Sequence, residues 1–259
     1  MKIRLVPVIR SLVDQLATVR AIQIDRCYHY RGFRYGGFGN NPYEDYIIGL
    51  SRGEELMVLR RRFAETILNC RPRGFAAALQ IDIGPWPLWE FPWQRASERP
   101  IGDVESPNDN PDVVTHYCAK GVLVSQINRE FGWLEGAWRS IRDTGYKPSQ
   151  LGYIRCLELR WPGRPSHYIV LDGNHRLSAL HAMGVHTVQV AIVWHRTIDR
   201  SQVGSWYRVR DRSLSELEAL AIFDCYFRSA NPPLREQNQA QLIIDETPLW
   251  PTTGKPLQS

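Results

Sequence analysis

Residues 168–184 constrain the fold of this chain more than any other stretch. Tyr168-Ile169-Val170-Leu171 is an apolar run, and three of these residues are of types enriched in strands. Asp172 and Gly173 break the run. From Leu177 the apolar spacing becomes helical, with Leu177, Leu180 and Met183 or Ala182 on one face. Gly184 stands where a helix C-terminal glycine belongs. The segment therefore reads as strand, tight turn, helix. The turn sets Asp172, Gly173, Asn174, His175 and Arg176 at a helix N-terminus. Free N–H groups and the positive end of the helix dipole attract anions there. A carboxylate, an imidazole and a guanidinium thus share one turn with space for a phosphate. The plainer reading is that Asp172 caps the helix and that His175 and Arg176 are surface residues.

The flanking pattern extends this unit. Ile127, Phe131, Leu134, Trp138 and Ile141 recur at helical spacing, and Gly145 and Pro148 follow as stops, so the spacing predicts a helix over 127–143. Strands are predicted at 153–159 and 167–171, joined by a hairpin loop at 162–165, and a third at 187–194. Upstream, residues 3–8 read as a strand. A helical stretch follows, with Leu12, Val13, Leu16 and Val19 on one side. Residues 25–50 are rich in aromatics and glycine and read as an ordered loop packed by its own rings; a base-stacking platform is the competing reading. An amphipathic helix is predicted at 53–69, with Glu54 and Glu55 in its first turn and Arg60, Arg61 and Arg62 on a solvated face. Residues 75–83 read as a strand, 85–93 as irregular because of their prolines, and 94–112 as the loop holding the main boundary. Ser213 and Glu216 have capping-box spacing before a helix reaching about residue 227, and an extended or disordered tail is expected after 229.

Composition narrows the class. A hydrophobic content of 43% and a charged content of 23% suit a soluble globular protein. No apolar run approaches the length of about 18 residues that a membrane helix needs, so no membrane contact is expected. Arg10 and Asp14 interrupt any apolar leader, so no signal peptide is expected. The net charge of +5 is a mild bias, compatible with anionic ligands and weak as evidence for nucleic acid. The five cysteines are odd in number and contain no C-x-x-C pair, which points to reduced, buried thiols in a cytoplasmic protein. His116, His181, His186 and His195 lack the spacing of a metal motif and read as ordinary surface or core histidines. Arg155, Arg160 and Arg164 read either as further phosphate contacts or as the solvated side of the hairpin.

From 127 to 194 the order is helix, Gly-x-x-Pro, strand, hairpin, strand, Asp-Gly-Asn-His-Arg, helix, Gly, strand. This order resembles the core of the ParB/sulfiredoxin superfamily. Ser140-Ile141-Arg142-Asp143-Thr144-Gly145-Tyr146-Lys147-Pro148 resembles its helix end, and residues 168–184 resemble its strand–turn–helix. Residues 185–193 resemble its closing strand. Residues 1–95 and 213–259 carry no such resemblance.

Within that superfamily the turn decides the chemistry. Chromosome-partition members carry a Gly-Glu-Arg-Arg type turn and bind cytidine triphosphate. Sulfiredoxins carry Gly-Gly-Cys-His-Arg, whose Cys is the nucleophile; here the position is Asn174. Free-serine kinases carry Asp-Gly-x-His-Arg, which 172–176 match. The resemblance implies an α+β domain at 96–212, with an N-terminal α/β region at 1–95 and a helix and tail at 213–259. It implies ATP or another nucleoside triphosphate with Mg²⁺, held at Gly173, Asn174, His175 and Arg176. Asp172 and His175 would be catalytic, with Asp172 at the reacting hydroxyl or the metal. The kinase-like members also use an acid upstream of the helix. Asp112 and Glu130 are the candidates here, and a plain surface acid is the other reading of each. The expected function is phosphoryl transfer to a small hydroxyl-bearing substrate. A nucleotide-binding switch contacting DNA or a protein partner is the alternative. No helix-turn-helix follows the domain in the sequence, so nucleic acid is the weaker partner.

Overall fold

A computed structural model describes residues 18–29, 33–36, 41–69, 91–94 and 124–228. The strands expected at 3–8 and 75–83, Asp112, most of the proline-rich stretch and the tail after 229 lie outside these residues. Five strands form one mixed sheet: β1 (Thr18–Gln23), β2 (Cys27–His29), β3 (Ile154–Arg160), β4 (His167–Asp172) and β5 (Thr187–Asp199), in the order β1-β5-β3-β4-β2. The β3–β4 hairpin is antiparallel, β5 runs parallel to β3, and the edges are β1, antiparallel to β5, and β2, parallel to β4. The protein is thus α+β, with a mixed sheet and flanking helices.

Period-two alternation divides the sheet between two apolar clusters. Leu157, Leu159 and Ile169 pack with Ile222, Phe223 and Tyr226 at the C-terminal helix α7 (Glu216–Cys225), reached through α6 (Tyr207–Arg210). Ile154, Cys156, Val170 and Val190 pack instead with Leu177 and Leu180 of α5 (Asn174–Ala182) and Ile141 of α3 (Val124–Thr144). Between α3 and β3 lies the short α4 (Pro148–Leu151). A third cluster joins α1 (Pro42–Ser51) and α2 (Leu56–Asn69) to α3 through Tyr43, Tyr46, Ile47, Leu59, Phe63, Phe131 and Leu134. β1 and β2 from 1–95 therefore lie in the same sheet as 154–199, and α7 from 213–259 packs on it, because a sheet with two apolar faces needs cover on both.

Several elements depart from the sequence reading. Val19 lies in β1 and is exposed, not on a helix face. Residues 42–51 form a helix where a loop is expected. Asn41 accepts from the Tyr43 amide at 3.1 Å, and Pro42 opens the first turn. The next helix starts at Leu56, not Gly53; Gly53 takes a left-handed φ of 77°, so Glu54 and Glu55 precede the helix. Arg60 is not on a solvated face, since it binds the buried Glu135 at 2.8 Å, whereas Arg61 and Arg62 are exposed. The capping box is Ser215 with Glu218, and Ser213 bonds Asp211 instead. β5 continues to Asp199, because a register irregularity lets Thr197–Asp199 resume pairing with Glu158–Arg160.

His167 opens β4 inside an aromatic stack. Its ring lies 4.4 Å from Phe227, and its Nδ1 meets the Tyr226 carbonyl oxygen. Burial pushes its pKa down from 6.5 to about 4. The folded state therefore favours the neutral ring. This stabilisation is complete above pH 6.5 and is lost as the pH falls through about 4. Thermal melts of wild type should show the melting temperature falling across that window. His167→Phe, which keeps the stack, should flatten the slope there; an unchanged slope would place the titrating group elsewhere.

Candidate functional site

The turn between β4 and α5 is built on one glycine. Gly173 adopts φ 92°, the left-handed region that side chains disfavour. A Cβ there would lie 2.9 Å from Ile154 Cγ1 and 2.9 Å from an Arg176 guanidinium nitrogen. Gly173 is also the N-cap, and no side chain caps the helix. Asp172 is therefore not the cap that the plainer sequence reading expects. The chain reverses within one residue, and the first amides of α5 are left without a side-chain acceptor.

The five turn residues are brought together but are engaged differently. Asp172 is more open than Arg176 or His175, its side chain 41% exposed against 21% for each, with Oδ2 3.7 Å from Arg176 Nη2. Its register partner across the hairpin is Arg155, whose Nε is buried and finds no hydrogen-bond partner. Asn174 Oδ1 accepts from the Tyr35 hydroxyl at 2.8 Å, and its carbonyl accepts from Ser178 Oγ at 3.0 Å. Asn174 thereby ties α5 to the segment after β2. Burial raises the pKa of Tyr35, which keeps its hydroxyl a donor. Arg176 Nη1 donates to the Gly152 carbonyl at 2.6 Å, bracing the turn against the residues before β3. An arginine has five N–H donors, so this contact leaves others for a ligand.

His175 points inward. Its Nε2 lies 2.6 Å from Glu130 Oε2 on α3, and its ring sits near those of Trp133 at 5.6 Å and Tyr43 at 5.9 Å. Glu130 is buried and is not the plain surface acid of the alternative reading. The helical period carried this signal, because Glu130 lies one turn before Leu134 and beside Phe131, both core residues. The parts that Tyr35, Tyr43 and Trp133 play at the turn were not legible, since each contact joins elements far apart in sequence.

Other charged groups are committed elsewhere. Arg160 pairs with the buried Glu158, and Arg164 lies over the Trp161 ring at 4.0 Å, so neither extends the turn. His181 Nδ1 is 3.0 Å from the buried Glu44 Oε1, a contact between α5 and α1. Burial raises the Glu44 pKa, and the Glu44 contact raises that of His181. Among the described residues no group of three or more His, Cys, Asp or Glu side chains is placed to hold a metal ion. Among them too, no helix is long and apolar enough to cross a membrane, and Cys27, Cys156 and Cys225 are buried.

No family description, curated protein or solved structure matches this chain.

The glycine constraint is testable. Gly173→Ala should destabilise the protein by about 1–3 kcal/mol from backbone strain, with the Ile154 overlap adding to it. Equilibrium urea unfolding would read this as a lower midpoint at unchanged slope. An unaltered midpoint would mean that the turn relaxes freely.

Proposed function

We propose that this protein is a ParB/sulfiredoxin-like phosphotransferase that moves a phosphoryl group from a nucleoside triphosphate, with Mg²⁺, to a small hydroxyl-bearing substrate. The observation that carries this reading is the turn itself. A helix N-terminus without a side-chain cap stands beside an exposed carboxylate and a guanidinium, 3.7 Å apart, with a second carboxylate, Glu130, one imidazole away. Helix amides and a guanidinium fork suit phosphate oxygens. Among the described residues the turn itself offers one open carboxylate, Asp172, rather than a cage, which suits Mg²⁺, an ion bound through one or two carboxylates plus substrate phosphates. When bound, that ion would neutralise phosphate charge.

The residues divide the work as follows. Arg176 and the amides at 174–176 hold phosphate oxygens. Asp172 accepts the proton of the attacking hydroxyl or anchors the metal. Glu130 meets His175 Nε2 and orients its ring beside the turn. Gly173 lets the backbone approach closely, and Asn174 holds the turn in place through Tyr35. The five reduced thiols expected from the sequence belong to the same reading, that of a cytoplasmic enzyme.

Thermal shifts with nucleoside triphosphates, with and without Mg²⁺, test binding. A ligand at 100 times its dissociation constant should stabilise the native state by about 2.7 kcal/mol. Asp172→Asn should leave binding within about tenfold and lower transfer by about 10²–10⁴, the usual cost of losing a general base. Arg176→Ala should weaken binding itself. Equal loss of binding in both variants, with no product from wild type across a panel of hydroxyl acceptors, would sink the kinase reading. Mg²⁺-dependent binding without phosphoryl transfer would instead favour a nucleotide-dependent switch, with Arg176 relaying the ligand to the Gly152 segment.

A further inference from the structure

Trp133 is a large aromatic beside the turn that the fold leaves partly uncovered. It sits on α3 one turn after Glu130, and it is 41% exposed while its neighbours Phe131 and Leu134 are buried. Its ring lies 5.6 Å from that of His175, at 45°. His175 is itself the second residue of α5, so the indole stands one side chain away from the helix amides. Glu130 Oε2 lies 2.6 Å from His175 Nε2 and the Tyr43 ring stands edge-on to the imidazole at 5.9 Å, so His175 has partners besides Trp133. An exposed indole is amphipathic, with a wide apolar face and a single donor, and it stacks on any planar heterocycle.

We propose that Trp133 is the stacking platform for the base of the nucleoside triphosphate whose phosphates lie at 172–176. This rests on the phosphate-binding part of the proposed function and names what selects the rest of the ligand. The indole recognises the base by its π-face rather than by hydrogen bonds. Affinity should thus follow stacking surface, with purine nucleotides bound more tightly than pyrimidine nucleotides and adenine and guanine bound alike.

The experiment uses the full chain and two probes, ATP and inorganic tripolyphosphate, each with Mg²⁺, followed by titration calorimetry. Trp133→Ala should weaken ATP by about tenfold or more and leave tripolyphosphate unchanged. Trp133→Phe should restore most of the ATP affinity, and Arg176→Ala should weaken both probes. Melting curves of each variant confirm that it is folded. ATP affinity unaffected by Trp133→Ala, with tripolyphosphate still bound, overturns the platform and leaves the phosphate site standing. Equal weakening of both probes by Trp133→Ala assigns Trp133 to supporting the turn and also overturns the platform. A wild-type protein that binds neither probe overturns the phosphate site, and the platform with it.

Discussion

Buried carboxylates hold the layers of this protein together. Among the described residues four glutamates are buried, and each meets a cationic or imidazole partner on another element or in an adjacent turn. Glu44 of α1 meets His181 of α5, and Glu130 of α3 meets His175. Glu135 of α3 takes Arg60 of α2, Arg139 and the Tyr46 hydroxyl. Glu158 of β3 takes Arg20 of β1, Arg160, Ser166 and Thr197. An unpartnered buried carboxylate is strongly unfavourable, so each acid accepts only the arrangement that brings its partner to it. The apolar clusters supply the driving force, and these pairs select the register in which the helices settle.

Two of the four pairs converge on α5. Its first turn is held by Glu130 and Tyr35 and its last by Glu44, while its apolar face lies on β3, β4 and β5. A short helix fixed at both ends is a rigid mount for the turn that precedes it. Polar groups so anchored need little reorganisation when a charged ligand arrives, which is what electrostatic recognition of phosphate requires.

Much of this region was readable because its signals are local. The strand run 168–171, the Asp-Gly break, the helical spacing from Leu177 and the glycine stop all lie within one stretch, and the observed elements are His167–Asp172 and Asn174–Ala182. The hairpin and the long helix before it were legible for the same reason. Errors arose where local signals conflict. Residues 42–51 carry glycine-rich flanks and a buried Glu44, which mask a helix whose cap, Asn41-Pro42, is nonetheless a clear start signal. The strand reading stopped at 194, short of Asp199, because the pairing of β5 with β3 resumes only past an irregularity.

The sequence by itself determined the strand–turn–helix, the break at Asp172-Gly173 and the set of charged residues in the turn. These follow from period, sterics and residue type within a few positions of one another. Only the tertiary structure decided which charges are paired and which are open. It turned Asp172 outward, folded His175 onto Glu130, spent part of Arg176 on the Gly152 carbonyl and placed Trp133 beside the site. It also made strands from before residue 30 the edges of the central sheet. The physical reason is range. Backbone preference acts between neighbours in the chain, whereas burial and charge pairing depend on neighbours in space, such as Tyr35 and Asn174, which lie 139 positions apart.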